Sequence, residues 1–527
     1  MSRTADLLHR KLSTTKVPVL SLALVVTGFH ILIALSHGGP VAVPDVPSYL
    51  HIAQRLWGAA EVPDLAFHPG YGYLLAPFGV VFSNNFHTVA LCVNACLAGL
   101  LVALVYQFGV RLEIHKSGLL TLVFLAAASP VISSASRIAW PEQLLMVVIL
   151  VITLLVDRNS SLTWLIAGLV AGLSFIIHPR MIVVSIGLLI TAGLAQKLLP
   201  AALGVIPALA FSSVGLVLTN TWPSARITAA KSIGEGPSII DTFLGQILAL
   251  SGSTLALGLI GSLVGLKSAS LLWRSKHETP AIAFIAVTSL GMLALGAWAL
   301  AGSDRSDTLM YGRYIDPWSV PLVAIGIRTA MNGGLTRRIR NTASVLTLIS
   351  VASVLTSLNQ VAVPGRTIMT QSLGLIWKTF EGNLGWVALV SALLTLSGLV
   401  LAKKKIQIMF IGILVLASLT SFYNQKHLSE VGEVAKGQTT LVEYLPQGIS
   451  CLAHDTSSTK SYAIWLYRLE APHLQHEPVS IAEGNRPCSN YLVAGTEALQ
   501  NCAGAKMIVK EPRASWGLWT YPDSGCD

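Results

Sequence analysis

Asp45 stands in the run Pro44-Asp45-Val46-Pro47-Ser48-Tyr49, shortly after the first long apolar stretch ends, and His68-Pro69-Gly70-Tyr71 follows. A carboxylate at a membrane surface is costly enough to suggest a site, and loops carry function more often than cores do. Asp45 therefore reads as a catalytic acid or base. The competing reading, for Asp45 or Ser48, is the N-cap of the stretch Tyr49–Trp57, where Leu50, Ala53, Leu56 and Trp57 recur at helical spacing. Residue types alone weigh the two evenly.

A second acid lies in Arg137-Ile138-Ala139-Trp140-Pro141-Glu142. Pro141 suits the first turn of a helix and Glu142 its positive end, so helix-start chemistry accounts for both, and Glu142 is also a candidate substrate contact. Cations gather nearby in type: Arg180 in His178-Pro179-Arg180, Arg226 and Lys231 in one loop, and Arg313 in Tyr311-Gly312-Arg313-Tyr314-Ile315-Asp316-Pro317, preceded by Asp304, Arg305 and Asp307. Each alone reads as an interfacial anchor whose charge snorkels to water. Together they form a belt able to grip a phosphate or diphosphate, the arginines bidentately.

The elements that must position these groups are membrane helices. Of 527 residues 53% are hydrophobic and only 11% charged, against about 25% charged in soluble domains. About thirteen apolar runs are long enough to cross a bilayer: 17–36, 86–108, 117–135, 141–156, 162–178, 180–196, 199–219, 241–266, 280–301, 315–328, 342–358, 384–402 and 406–422. The first, behind a basic start, reads as an uncleaved helix and not a signal peptide, because no small-x-small cleavage site clearly follows it. The expected class is an all-α polytopic membrane protein with two parts. Residues 1–423 form the body, including a long outer loop at 37–85, and residues 424–527 form a small extracytoplasmic α/β or mainly β domain. Within the tail, Tyr462–Tyr467 and Tyr491–Ala494 read as strands and Thr496–Asn501 as a short helix.

The net charge of +10 does not mark a nucleic-acid partner, because its distribution is topological. With the N-terminus inside, 18 of the 35 Lys and Arg fall on cytoplasmic segments, as the positive-inside rule expects. That predicts a multi-pass plasma-membrane protein whose tail lies outside, with membrane lipids as its surroundings. Cysteines agree. Cys92 and Cys96 sit inside the second run as packing residues, while Cys451, Cys488, Cys502 and Cys526 cluster in the tail. One or two disulfides are expected there, with three pairings open; zinc is the weaker reading, for want of a Cys-x-x-Cys. No Walker loop, dinucleotide fingerprint or His-Glu-x-x-His occurs, so a soluble nucleotide donor has no visible binding apparatus.

The order of these features resembles the GT-C membrane glycosyltransferases that use lipid-linked sugars. The resemblance rests on Asp45 after the first span, Tyr49 with Ala53-x-x-Leu56, His68-Pro69-Gly70-Tyr71, Pro141-Glu142 opening the fourth span, and His178-Pro179-Arg180 after the fifth; it covers about residues 17–330. The superfamily includes protein mannosyltransferases, aminoarabinose transferases and arabinofuranosyltransferases. It implies a polyprenyl-phosphate sugar donor, an extracytoplasmic glycan, lipid or protein acceptor, and inversion with Asp45 as general base. It further implies that Arg180, Arg226, Lys231 and Arg313 hold the donor phosphate, while Tyr49, His68, Tyr71, Glu142, His178 and Tyr314 shape the sugar pocket. Many members carry an adjacent acidic pair where this chain has Asp45 alone, which leaves use of a divalent cation open. The alternative class is a polytopic transporter or lipid-linked-sugar flippase. Against it stand the absence of an internal repeat and the mostly apolar centres of the spans.

Overall fold

The computed structural model describes residues 2–41, 45–56, 68–82, 85–218, 236–274, 279–460, 462–523 and 525, with the side chains of 2–18, 45, 47, 48, 51 and 55 excepted. Within them the chain is mostly helical, with a small sheet at the C-terminal end. Among the described residues seven helices are long and apolar enough to cross a membrane, or eight if a bent pair counts as one span. The seven are Phe86–Arg111, Lys116–Ser134, Leu198–Leu218, Pro280–Leu300, Arg337–Thr356, Leu384–Lys404 and the helix that begins at Ile406. Three shorter apolar segments, Val19–Leu35, Ser161–Ile177 and Pro179–Leu194, fall below that length. Among the described residues thirteen full-length spans are therefore not confirmed. Several of the expected runs form shorter helices walled in by neighbours. Asp316–Met331, for example, has only 16 residues, twelve of them buried.

The run expected as one span at 241–266 departs furthest. It forms two helices, Ile239–Ser253 and Leu257–Arg274, whose axes turn by 117°. Leu255 and Ala256 adopt left-handed φ values of 46° and 68°, a costly conformation for residues with a Cβ. Side-chain bonds replace the lost helical ones: the Thr254 hydroxyl donates to the Leu250 carbonyl at 2.6 Å and accepts the Gly258 N–H at 3.0 Å. Irregular backbone at this depth is tolerated because it is enclosed by protein, and Leu255 and Ala256 are both buried.

The last membrane helix, Ile406–Lys436, continues unbroken through residue 423 and leads to the tail. There five strands form one sheet in the order β2-β1-β3-β5-β4: β1 Cys451–Asp455, β2 Gln475–Val479, β3 Tyr491–Gly495, β4 Lys506–Lys510 and β5 Trp516–Thr520. β1 is parallel to β2 and β3, while β5 is antiparallel to β3 and β4. The tail is thus an α/β unit with β3 where expected. Tyr462–Tyr467, expected as a strand, instead belongs to the helix Ala463–Glu470 that connects β1 to β2. Ala463, Leu466, Tyr467, Arg468 and Leu469 are its buried positions, and the three-and-four spacing from Ala463 to Leu466 and Tyr467 outweighs the strand propensity of the aromatics. Thr496–Asn501 forms turns and no helix. Cys451, on β1, is bonded to Cys488. Cys502 is disulfide-bonded as well, Cys526 lies outside the described residues, and Cys92 and Cys96 are free thiols.

Candidate active site

The helix Glu142–Asp157 begins at a buried carboxylate. Glu142 Oε1 accepts from Arg180 Nη2 at 3.0 Å and from Arg313 Nε at 2.6 Å. All three side chains are at least 94% buried, so the expectation that these arginines snorkel to water is overturned. The body closes over them, and charges taken out of water must be paired.

Local structure aims each group. Arg180 sits in a single 3-10 turn, Pro179–Met181, and its backbone N–H donates to His178 Nδ1 at 3.3 Å. Arg313 lies just before the helix Asp316–Met331 and donates its backbone N–H to the Met369 carbonyl at 3.3 Å. Its guanidinium stacks 4.4 Å over the Trp140 ring, while Arg180 lies 5.2 Å over Tyr314. These cation–π contacts fix the two planes without using up their N–H donors.

The Pro69–Val81 helix supports the loop that carries Trp140. The Tyr71 hydroxyl donates to Asn94 Oδ1 at 3.0 Å, and Asn94 Nδ2 donates to the carbonyls of Ile138 and Trp140, each at 3.3 Å. Tyr49, on Asp45–Leu56, packs edge-on against Tyr71 at 6.0 Å. His68 faces His178 across 4.8 Å between ring centres. Tyr49, His68, Tyr71, Glu142, His178, Arg180, Arg313 and Tyr314 thus form one continuous chain of contacts. Asp45 opens its helix, but its side chain lies outside the described residues, as do Arg226 and Lys231 entirely.

The cluster has polar capacity to spare. Asp316, buried beside it, feels both Arg180 and Glu142 and bonds Ser372. Among the described residues, Arg180 Nε and Nη1, Trp140 Nε1 and Glu142 Oε2 have no hydrogen-bond partner. Unmade bonds of this kind are expensive in a dry interior, and their concentration at one place marks where a polar ligand belongs. Most are donors, which suits an anion. An apolar groove of about 590 Å³ adjoins, lined by Gly70, Tyr73, Leu173, Ile177, Phe211 and Leu218 among others; Gly70 and Ile177 are the chain neighbours of Pro69 and His178.

Sequence reading missed Asn94, Gln246 and Asp316. Asn94 and Gln246 are polar side chains within apolar runs, which is itself a signal. Asp316 was in a quoted motif without a role. Among the described residues the one grouping of three potential metal ligands is Cys451, Glu477 and Cys488, whose two sulfurs are bonded to each other.

No protein-family model matches the sequence, and no curated protein matches it. Solved structures do. The chain is similar to the crystal structure of ArnT from Cupriavidus metallidurans bound to undecaprenyl phosphate, with a TM-score of 0.55 and 12% identity over 97% of this chain and 99% of that one. The apo structure of the same protein gives a TM-score of 0.52 and 12% identity over 96% and 98%. At this identity the likeness is one of fold, and it extends through the C-terminal domain, well past residue 330 where the motif resemblance ends.

Proposed function

We propose that this chain is an integral membrane glycosyltransferase that moves a sugar from a polyprenyl-phosphate donor to a hydroxyl acceptor on the extracytoplasmic side. The observation that carries the reading is the buried Arg180–Glu142–Arg313 cluster with open donors on Arg180, set beside an apolar groove. A phosphate on a long hydrocarbon tail has those two needs and few other ligands share them. The fold supports the same donor class, since a structure that resembles it binds undecaprenyl phosphate.

In the proposed reaction the acceptor hydroxyl attacks the anomeric carbon directly. Its proton passes to the Asp45 carboxylate, the bond from the anomeric carbon to the phosphate oxygen breaks, and polyprenyl phosphate leaves with one more negative charge. One displacement with one base and no enzyme nucleophile inverts the anomeric centre. Arg180 and Arg313 face the charge that develops on the leaving phosphate, where preorganised donors act most strongly; Arg226 and Lys231 add to the same field. Glu142 holds the two guanidiniums in position, and Tyr49, Tyr71, His68, His178 and Tyr314 wall the sugar. About thirteen crossings, counting the short helices, a body over 1–423 and an extracytoplasmic domain over 424–527 complete the reading.

One observation favours the rival class. The 117° break between Ile239–Ser253 and Leu257–Arg274 has the look of the interrupted helices of transporters, as a flippase for lipid-linked sugars would need. Asp45→Asn in purified, reconstituted protein separates the two. Loss of sugar transfer by a factor of about 10²–10⁴, with undecaprenyl-phosphate binding retained, is the expected result. Unchanged transfer removes Asp45 as the base, and lipid movement across the bilayer without any transfer overturns the enzyme.

A further inference from the structure

The sharpest irregularity in the membrane body borders a cavity. Where Ile239–Ser253 ends and Leu257–Arg274 leaves at 117° to it, Ser253 and Thr254 line a space of about 40 Å³. Ser129, Ser319, Ser372 and Thr420 bring further hydroxyls to it, and the rest of the lining is hydrocarbon. Ser319 comes from the helix Asp316–Met331, Ser372 from the turn Gln371–Leu373 and Thr420 from the last membrane helix. A water-sized guest takes about 10–15 Å³, so the cavity has room for a bare ion with a water or two.

The hydroxyl hydrogens of this lining are largely spent. Ser253 and Thr254 both donate to the Leu250 carbonyl, at 3.2 and 2.6 Å. Ser319 donates to the Asp316 carbonyl and Thr420 to the Leu416 carbonyl, each at 2.7 Å. Ser372 bonds the Asp316 carboxylate, which when ionised can only accept. Ser129, 4% exposed, makes no capping bond with its side chain. What remains toward the cavity is mostly oxygen lone pairs. Two further features carry the same sign. The carbonyl end of Ile239–Ser253 holds about half a negative charge, and the Asp316 carboxylate stands one hydroxyl behind the lining, at Ser372.

We infer that this cavity is a site for a small monovalent cation, sodium. Water alone suits it poorly, because water donates readily into such a lining but finds few donors for its own lone pairs. A cation needs acceptors only, and it orients any water that accompanies it. Magnesium and calcium sites are built on carboxylates and retained waters, whereas this lining offers neutral hydroxyls with a single carboxylate behind them. Interrupted membrane helices whose carbonyl ends coordinate sodium are a known solution to the same problem. The bound ion ties the helix break to the turn that holds Asp316, and so steadies the acid beside Arg180.

The test is equilibrium binding of radioactive sodium to the full-length protein in nanodiscs, with choline keeping the ionic strength constant. Saturable binding is expected, displaced by unlabelled sodium in preference to magnesium. The denaturation midpoint should rise in sodium over choline, as for any ligand of the folded state alone. Ser129→Ala combined with Ser319→Ala should weaken sodium by at least about tenfold, and Asp316→Asn, which keeps the shape and removes the charge, by about 10–100-fold. Ser270→Ala, an exposed hydroxyl outside the cavity, should leave sodium affinity unchanged. The inference is overturned if the unaltered protein shows no saturable binding, or equal midpoints in sodium and choline, which would leave water as the occupant. Displacement by magnesium at lower concentrations than sodium, or unchanged affinity in both altered proteins, also overturns it. No lipid enters the measurement, so sodium binding stands or falls separately from the donor phosphate.

Discussion

Glu142 in the membrane body and Glu511 in the C-terminal domain are both buried carboxylates, 1% and 0% exposed. They are satisfied in opposite ways. Glu511 has both oxygens occupied: Oε2 accepts from the Thr440 N–H and hydroxyl, and Oε1 from the Leu441 N–H and the Tyr467 hydroxyl. It ties the chain leaving the last membrane helix to the sheet, and nothing further can approach it. Glu142 concentrates two guanidiniums on one oxygen, and the other has no partner among the described residues. Burial alone therefore does not distinguish the two acids. The bond left unmade on Glu142 does.

The contrast can be broken by substitution. Arg180→Ala should lower sugar transfer about 10²–10³-fold, the usual cost of removing one preorganised stabiliser of developing charge, measured as kcat in reconstituted vesicles. Glu511→Ala should instead act on stability, stripping about 4 kcal/mol from the C-terminal domain by stranding four donors, seen as a lower denaturation midpoint. If Glu511→Ala abolished transfer in protein whose domain stayed folded, the two acids would not differ in kind.

Effects no larger than this sharpen the picture of the domain. Replacing Cys451 and Cys488 together by serine opens a loop of 37 residues and should cost about 4 kcal/mol, read from chemical denaturation with and without reductant. Acid is the mildest probe. His454 and His476 are held below the ordinary histidine value by burial first, His476 to about 3, with the Arg468 charge adding to it. Their folded-state values lie below the unfolded one, so the stability they allow is complete above about pH 6.5 and is lost as pH falls toward 3. By pH 5.5 His476 should leave the domain about 1.4 kcal/mol less stable than at pH 7.5, and His454 acts in the same direction. A denaturation series across that range checks the sign as well as the size.

Much of the site was legible as residue types at helix starts on one side. Glu142, Arg180, Arg313 and Tyr314 were singled out, and the structure brings them into contact. Who pairs with whom was not legible, because Glu142 is 38 residues from Arg180 and 171 from Arg313, and only bundle packing closes such distances. Gln246 and Asn94 were passed over because one polar residue in an apolar run resembles a tolerated exception. The break at Leu255–Ala256 was invisible for a different reason: left-handed backbone is signalled by glycine, and here leucine and alanine adopt it, held by the Thr254 hydroxyl. In the tail the strand β3 was readable from its composition, whereas the Ala463–Glu470 helix needed the three-and-four spacing to be weighed above its aromatics.

Leu469, on that same helix, is buried in a cluster with Tyr49, Tyr71 and Trp140. The C-terminal domain thus contributes a wall of the chamber that surrounds the ion cluster. Its physical role is insulation. Coulomb energies fall as the local dielectric rises, so water admitted where Leu469 now sits would weaken the grip of Arg180 and Arg313 on any phosphate without moving either arginine. Through Leu469 the tail thereby bears on the field inside a cluster it touches only with a hydrocarbon side chain.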